Sequence, residues 1–195
     1  DLDADPTAVD NVLSADPALA PLVRKHPGLR APGAVDGFEL AVRAVIGQQI
    51  SVRGARTLLG RIATEHGDAA AFDTWRLFPS AERFAAVDPT TLPMPRARAN
   101  TLIALAQACA TGELSLDPGA DRDHERAALL ALPGVGPWTA DYLLMRAMGD
   151  PDVLLHTDLG VRKAAAALGL DLTGGRPDWA PWRSYATFHL WASLH

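Results

Sequence analysis

A single cysteine, Cys109, stands among 195 residues. Without a partner in the chain it excludes intrachain disulfides, cysteine zinc sites and four-cysteine iron-sulfur clusters. Its setting, "LIALAQACATG", suits a small core hydrophobe. No apolar run approaches the roughly 20 residues that span a bilayer, and the N-terminus lacks the basic-then-apolar order of a signal peptide. A cytoplasmic location is therefore expected. The six histidines show no metal-ligand spacing with one another, so no side-chain metal site is expected. Alternating strand patterns, repeats and low-complexity tracts beyond alanine-rich helix are also missing.

What is present is ordinary globular composition, 48% hydrophobic and 21% charged, with a net charge of -5. That charge argues against a polyanionic partner only until its distribution is read. Asp1, Asp3, Asp5, Asp10 and Asp16 precede the first base, which leaves the remainder of the chain formally neutral. Between Arg43 and Arg61 lie four arginines and no acid, a pattern that fits either a phosphate-binding face or a solvated helix. The chain begins at Asp1 without Met, as expected of one domain of a longer protein.

Helical periodicity predicts an all-α fold with helices near 7–14, 18–26, 38–48, 51–66, 80–87, 96–111, 123–130, 138–148, 158–168 and 177–194. Proline and glycine punctuate between them in "HPGLRAPG", "DPTTLPMP", "LDPGAD", "GDPD" and "LTGGRPD". Two helical lobes with a cleft between them fit this string. One comprises residues 1–36 and 116–195 and the other, central lobe residues 37–115.

The stretch "LPGVGPWTADYLLMR" places Gly134 and Gly136 around Val135, between Pro133 and Pro137. This describes a tight turn with positive φ values joining two helices, a helix-hairpin-helix over about 123–148. Pro137 costs no hydrogen bond at a first helical position, and the amides of the turn and the next helix can meet a phosphate. An ordinary tight turn between antiparallel helices would read the same way. Trp138 and Tyr142, four residues apart, share a helix face beside this turn. Such a pair fits core packing, or a place where an extruded base is stacked. Trp191, in "FHLWASL", admits the same two readings. Asp158, in "DVLLHTDLGVRKA", stands where a helix N-cap is expected. A fixed carboxylate there is also what an oxocarbenium-like sugar needs when a glycosidic bond breaks.

Together with "GFELAVRAVIGQQISVRGA" and "WAPWRSYATFHLW", these runs resemble the helix-hairpin-helix DNA glycosylase superfamily, and within it the bacterial 3-methyladenine DNA glycosylase II branch. The resemblance covers the chain from about Gly37 to its end. It implies a base-excision enzyme acting as a monomer on duplex DNA that contains alkylated bases. It implies Asp158 as the catalytic residue, and Trp138, Tyr142 and Trp191 as the base pocket. It further implies Gly134, Val135, Gly136 and Thr139 as DNA contacts, and a sodium or potassium ion on the backbone carbonyls of Leu132 and Val135, with no other cofactor. Members that also cut the strand carry lysine where Trp138 stands, because Schiff-base formation needs an amine; a monofunctional enzyme is therefore expected. The lone Cys109 disfavours the iron-sulfur branch.

Departures from the family pattern are the wedge position, Gln49 here instead of an apolar residue, and Thr157 where an acid often precedes the catalytic aspartate. The amino-terminal β lobe of longer members is not expected in this chain; such a lobe or a linked alkyltransferase would belong to a longer protein. Two rival readings remain at this point. One is a non-catalytic helix-hairpin-helix binding module, which has no need of Asp158 or the aromatic trio; the other is a glycosylase for oxidised or deaminated bases.

Overall fold

The computed structural model describes residues 1–195 apart from Leu2, Gln49 and residues 71–74. Among the described residues there are ten α-helices, two short 3-10 turns and no strand. In chain order they are α1 Pro6–Ser14, α2 Ala20–Lys25, α3 Gly37–Gly47, α4 Val52–His66, α5 Ala81–Ala85, α6 Arg96–Thr111, α7 Arg122–Ala131, α8 Pro137–Arg146, α9 Leu159–Ala167 and α10 Arg183–Ala192. No helix among them is long and apolar enough to cross a membrane. Local chemistry sets most starts: Asp5, Asp36, Ser51, Ser80, Asp121 and Asp158 each accept a backbone N–H in the first turn of the helix they precede.

The chain divides into two compact units, Asp1–Gly33 with Leu144–His195, and Ala34–Leu143. The division differs from the expected one, because the hairpin belongs with the central helices and not with Asp158. Three contacts hold it there. The Thr101 hydroxyl on α6 donates to the Pro133 carbonyl at 2.7 Å, the Ser115 N–H donates to the buried Glu125 carboxylate at 2.9 Å, and the Gln48 amide donates to the Thr139 hydroxyl at 2.7 Å. The boundary falls inside α8.

In the second unit the core is built on α3 (Phe38, Ala41, Val42, Val45, Ile46) and α6 (Ala99, Leu102, Leu105, Ala106), closed by Phe84 of α5. Each large apolar side chain buried in it contributes about 1.5–3 kcal/mol. Cys109 lies partly buried at the edge of this unit, and burial, assisted by the Glu125 charge, pushes its thiol to a pKa of about 12. A thiol so raised stays protonated at neutral pH and is a poor nucleophile.

In the first unit α1, α2, α9 and α10 bury Val9, Leu13, Val23, Val161, Ala164, Ala186 and Leu190. The single helix expected over 177–194 is instead the turn Pro177–Trp179 followed by α10 from Arg183. Pro181 lacks an N–H and keeps Ala180 extended, at φ -64° and ψ 144°. Asp16 fixes the interruption from far away in sequence: its carboxylate accepts the indole N–H of the fully buried Trp179 at 2.9 Å and pairs with Arg176. Burial alone would raise the Asp16 carboxyl, but the hydrogen bonds from Trp179, Ala18 and Arg176 hold it below the usual range. The N-terminal acids are thus consumed inside the unit. Asp5 caps α1, Asp10 accepts the Gly28 N–H at 2.8 Å, and Asp16 clamps Trp179.

Candidate functional site

In the second unit the hairpin closes through Val135 N–H to the Leu132 carbonyl, 3.1 Å, with Val135 itself buried. Gly134 carries the left-handed φ of 86° that the turn needs, and a Cβ there would stand 2.4 Å from the Thr101 hydroxyl. Both conformation and space demand glycine. Gly136 is different: its φ is not in the left-handed region, and a Cβ there would meet nothing within 4 Å. Positive φ was expected at both positions and occurs only at the first. At Gly136 no neighbour within the protein forbids a side chain, so the surface there is open for close approach to the backbone. Its carbonyl accepts the Ala140 N–H at 3.0 Å, which makes it the residue from which α8 starts, with Pro137 as the first helical position. Arg126 on α7 donates to Asp141 on α8 at 2.7 Å and braces the two helices of the motif.

Trp138 and Tyr142 are half-buried and stack on each other, centroids 5.2 Å apart and planes 14° from parallel. They form one platform two rings thick and not a slot with a ring on either side. Thr139, expected among the DNA contacts, is buried, and its hydroxyl accepts the Gln48 amide N–H. The wedge candidate Gln49 lies outside the described residues.

In the first unit the non-helical stretch before α9 is laid along α10. Arg183 forks onto Asp152 with two bonds of 2.7 Å, Ser184 donates to the Asp150 carbonyl at 2.6 Å and accepts the Val153 N–H at 3.0 Å, and Thr187 takes the Leu155 N–H at 3.5 Å. This rail delivers Asp158 to the start of α9. There Oδ1 of Asp158 accepts both the Val161 N–H and the Trp191 indole N–H, each at 2.9 Å. Trp191 is steadied in turn by the edge-on ring of Phe188, 5.3 Å away, and the Arg146 guanidinium lies 5.6 Å above that ring. The sequence suggested Trp191 as an aromatic of a base pocket; in this unit its visible role is to hold the carboxylate in one orientation.

Gly160 escaped the sequence reading. A Cβ on it would sit 3.1 Å from Asp158 Oδ1 and 3.2 Å from Trp191 Cδ1, so any larger residue would press on the pair and shift it by a few tenths of an ångström. The available signal was a glycine in the first turn of a helix, where it costs about 1 kcal/mol relative to alanine.

Residues 1–36 match the family model described as the AlkA N-terminal domain. In this chain they form α1 and α2, so part of that domain is present here, as helix. A Mycobacterium tuberculosis protein named "Probable bifunctional transcriptional activator/DNA repair enzyme AlkA" is 48% identical over 202 residues, covering 100% of this chain and 41% of that protein. The chain thus spans less than half the length of that relative. A solved structure, "3-methyladenine dna-glycosylase from Archaeoglobus fulgidus", superposes with a TM-score of 0.78 over 96% of this chain and 69% of that one, at 24% identity, and shares the fold. The Bacillus subtilis protein named "DNA-3-methyladenine glycosylase" is 33% identical over 100% of this chain and 69% of its own length, and on that match the chain belongs to the DNA-3-methyladenine glycosylase family.

Proposed function

We propose that the chain is a monofunctional glycosylase that hydrolyses the N-glycosidic bond of alkylated purines of the 3-methyladenine type in duplex DNA. The observation that carries this reading is the Asp158 carboxylate, held at a helix start by Val161 and Trp191 in a way that a binding module has no use for. A purine methylated at a ring nitrogen is cationic, and the bonding electrons neutralise it as it leaves. No general acid is then needed. Asp158 stabilises the positive charge left on the sugar, water adds to the anomeric carbon, and the proton released goes to the carboxylate or to solvent. The Trp138–Tyr142 platform suits an electron-poor ring, with a cation-π gain of roughly 0.5–2 kcal/mol. Stacking reads charge and flatness more than hydrogen-bond pattern, so several alkylated bases should be accepted. With Trp138 in place of an amine, no Schiff base forms and the strand is left intact.

The monovalent ion implied by the family would be held by the backbone carbonyls of Leu132 and Val135; the Leu132 carbonyl accepts Val135 N–H and has a second lone pair to offer, and an ion there would add positive charge beside a phosphate. We further read the chain as the glycosylase portion of a longer protein, in keeping with the two activities joined in the name of the M. tuberculosis relative.

The decisive experiment is incubation with methylated duplex DNA and chromatography of the released bases. Free 3-methyladenine with alkali-labile, otherwise uncut strands is expected. Binding without release would establish a non-catalytic module, and release confined to oxidised or deaminated bases would replace the substrate class.

Two variants probe the parts. Gly136→Val adds a side chain into open space at a permitted φ, so stability should hold while affinity for every duplex falls about tenfold, the loss of one phosphate hydrogen bond of about 1.5 kcal/mol. Unchanged affinity across a salt titration would remove the hairpin from the interface. Gly160→Ala should gain helix propensity yet slow single-turnover release about five- to tenfold, because its Cβ displaces Asp158 or Trp191 by a few tenths of an ångström. Wild-type rates would show that the pair tolerates the shift.

A further inference from the structure

The two longest acid-free stretches of the second unit are residues 40–64, with Arg43, Arg53, Arg56 and Arg61, and residues 89–112, with Arg96 and Arg98. In the second unit they meet. Arg53 and Arg61 of α4 and Arg98 of α6 line one groove of about 540 Å³ whose floor includes Ile50, Leu58 and Met94. Within an acidic chain this is a local concentration of cations beside apolar surface, the combination a sugar-phosphate backbone requires. Internal neutralisation is slight: Arg61 pairs with Glu65 at 3.5 Å, with both side chains about half exposed (54% and 45%). By contrast Arg43, on α3, is tied to Glu39. The fifteen-residue α4 also opens at this groove, its first turn capped by Ser51, and its dipole adds positive potential. The groove is linked to the hairpin through the Gln48 amide, bonded to Thr139 in the first turn of α8, three residues before Ser51.

We propose that this groove is a second phosphate-binding surface for duplex DNA, separate from the hairpin amides, with Arg53 and Arg98 as its principal contacts. The proposal rests on the glycosylase reading and deepens it. The hairpin would grip the backbone through N–H groups at short range, and the arginine groove would supply the long-range, salt-sensitive part of the affinity that an acidic protein otherwise lacks.

The test is fluorescence anisotropy with a short undamaged duplex at several salt concentrations. It compares wild type, Arg53→Glu with Arg98→Glu, the milder Arg53→Gln with Arg98→Gln, and a control of equal charge change away from the groove, Arg24→Glu with Arg83→Glu. Circular dichroism establishes that each is folded. The groove variants are expected to raise Kd at least about tenfold and to lower the slope of log K against log salt by about two, one per lost phosphate contact. The glutamine pair should show the same slope change with a smaller rise in Kd, and the control should stay within about threefold of wild type. Groove variants that bind no worse than the control would overturn the proposal. If wild type releases methylated bases while those variants bind normally, the groove alone fails; if wild type does not bind duplex DNA, the groove and the glycosylase reading fail together.

Discussion

Replacing Asp158 by asparagine is expected to reduce release of 3-methyladenine by about 10²–10³-fold while the protein stays folded and binds abasic DNA nearly as well as wild type. The expectation follows from which oxygen is used. Oδ1 accepts both the Val161 N–H and the Trp191 indole N–H. An asparagine carbonyl can take the same place and keep both bonds, and asparagine is about as good an N-cap as aspartate. What the substitution removes is charge. Helix α9 loses the favourable interaction of a carboxylate with its N-terminus, about 0.3–1 kcal/mol, and the reacting sugar loses the negative charge facing its developing cation. The first loss moves the melting temperature by a few degrees; the second acts on the rate. Single-turnover assays on methylated duplex, with Kd for an abasic duplex measured alongside, separate the two. Release within threefold of wild type would reduce Asp158 to a helix cap and restore the binding-module reading.

The same residue shows what the sequence made legible. Its N-cap geometry could be anticipated because an aspartate followed by a periodic apolar run is a local signal, and the same holds for Asp5, Asp36, Ser51, Ser80 and Asp121. The hairpin was legible for a similar reason, since paired glycines and prolines act within a few residues. The parts that escaped depend on partners distant in the chain. Asp16 grips Trp179 and Arg176 across more than 150 residues and fixes the turn that, with Pro181, cuts short the helix expected from Pro177. Thr101 and Gln48 draw the hairpin into the central unit, which moves the boundary from the expected residue 116 into α8. At Gly160 the room for a side chain is narrowed by Trp191, which comes back to Asp158 from another helix. Periodicity and capping carry no information about such contacts, since each depends on how helices meet and not on how they form.

Stability is expected to fall steeply with acid well before the carboxylates protonate, and His189 is the cause. It lies fully buried on α10, and neither ring nitrogen has a hydrogen-bond partner among the described residues. Burial pushes its pKa down from 6.5 to about 4; the nearby Asp10 charge opposes that shift and His26 adds to it. Above pH 6.5 the imidazole is neutral in both folded and unfolded chains and makes no difference. Between pH 6.5 and 4 the unfolded chain binds a proton that the folded chain refuses, so acid favours unfolding by about 1.4 kcal/mol per pH unit, approaching about 3 kcal/mol near pH 4. Asp16 does not contaminate this window: its carboxyl is held below 3.8, so the stability it contributes is lost only at lower pH. Urea unfolding at pH 7.5 and 4.5 should therefore show a wild-type loss of about 2–3 kcal/mol that largely disappears in His189→Leu, whose apolar side chain suits the buried site and cannot titrate. Because Leu changes the baseline, the difference between the two pH values is the measurement, and the absolute stability of the variant is not. An equal acid loss in both proteins would show that His189 is not its source.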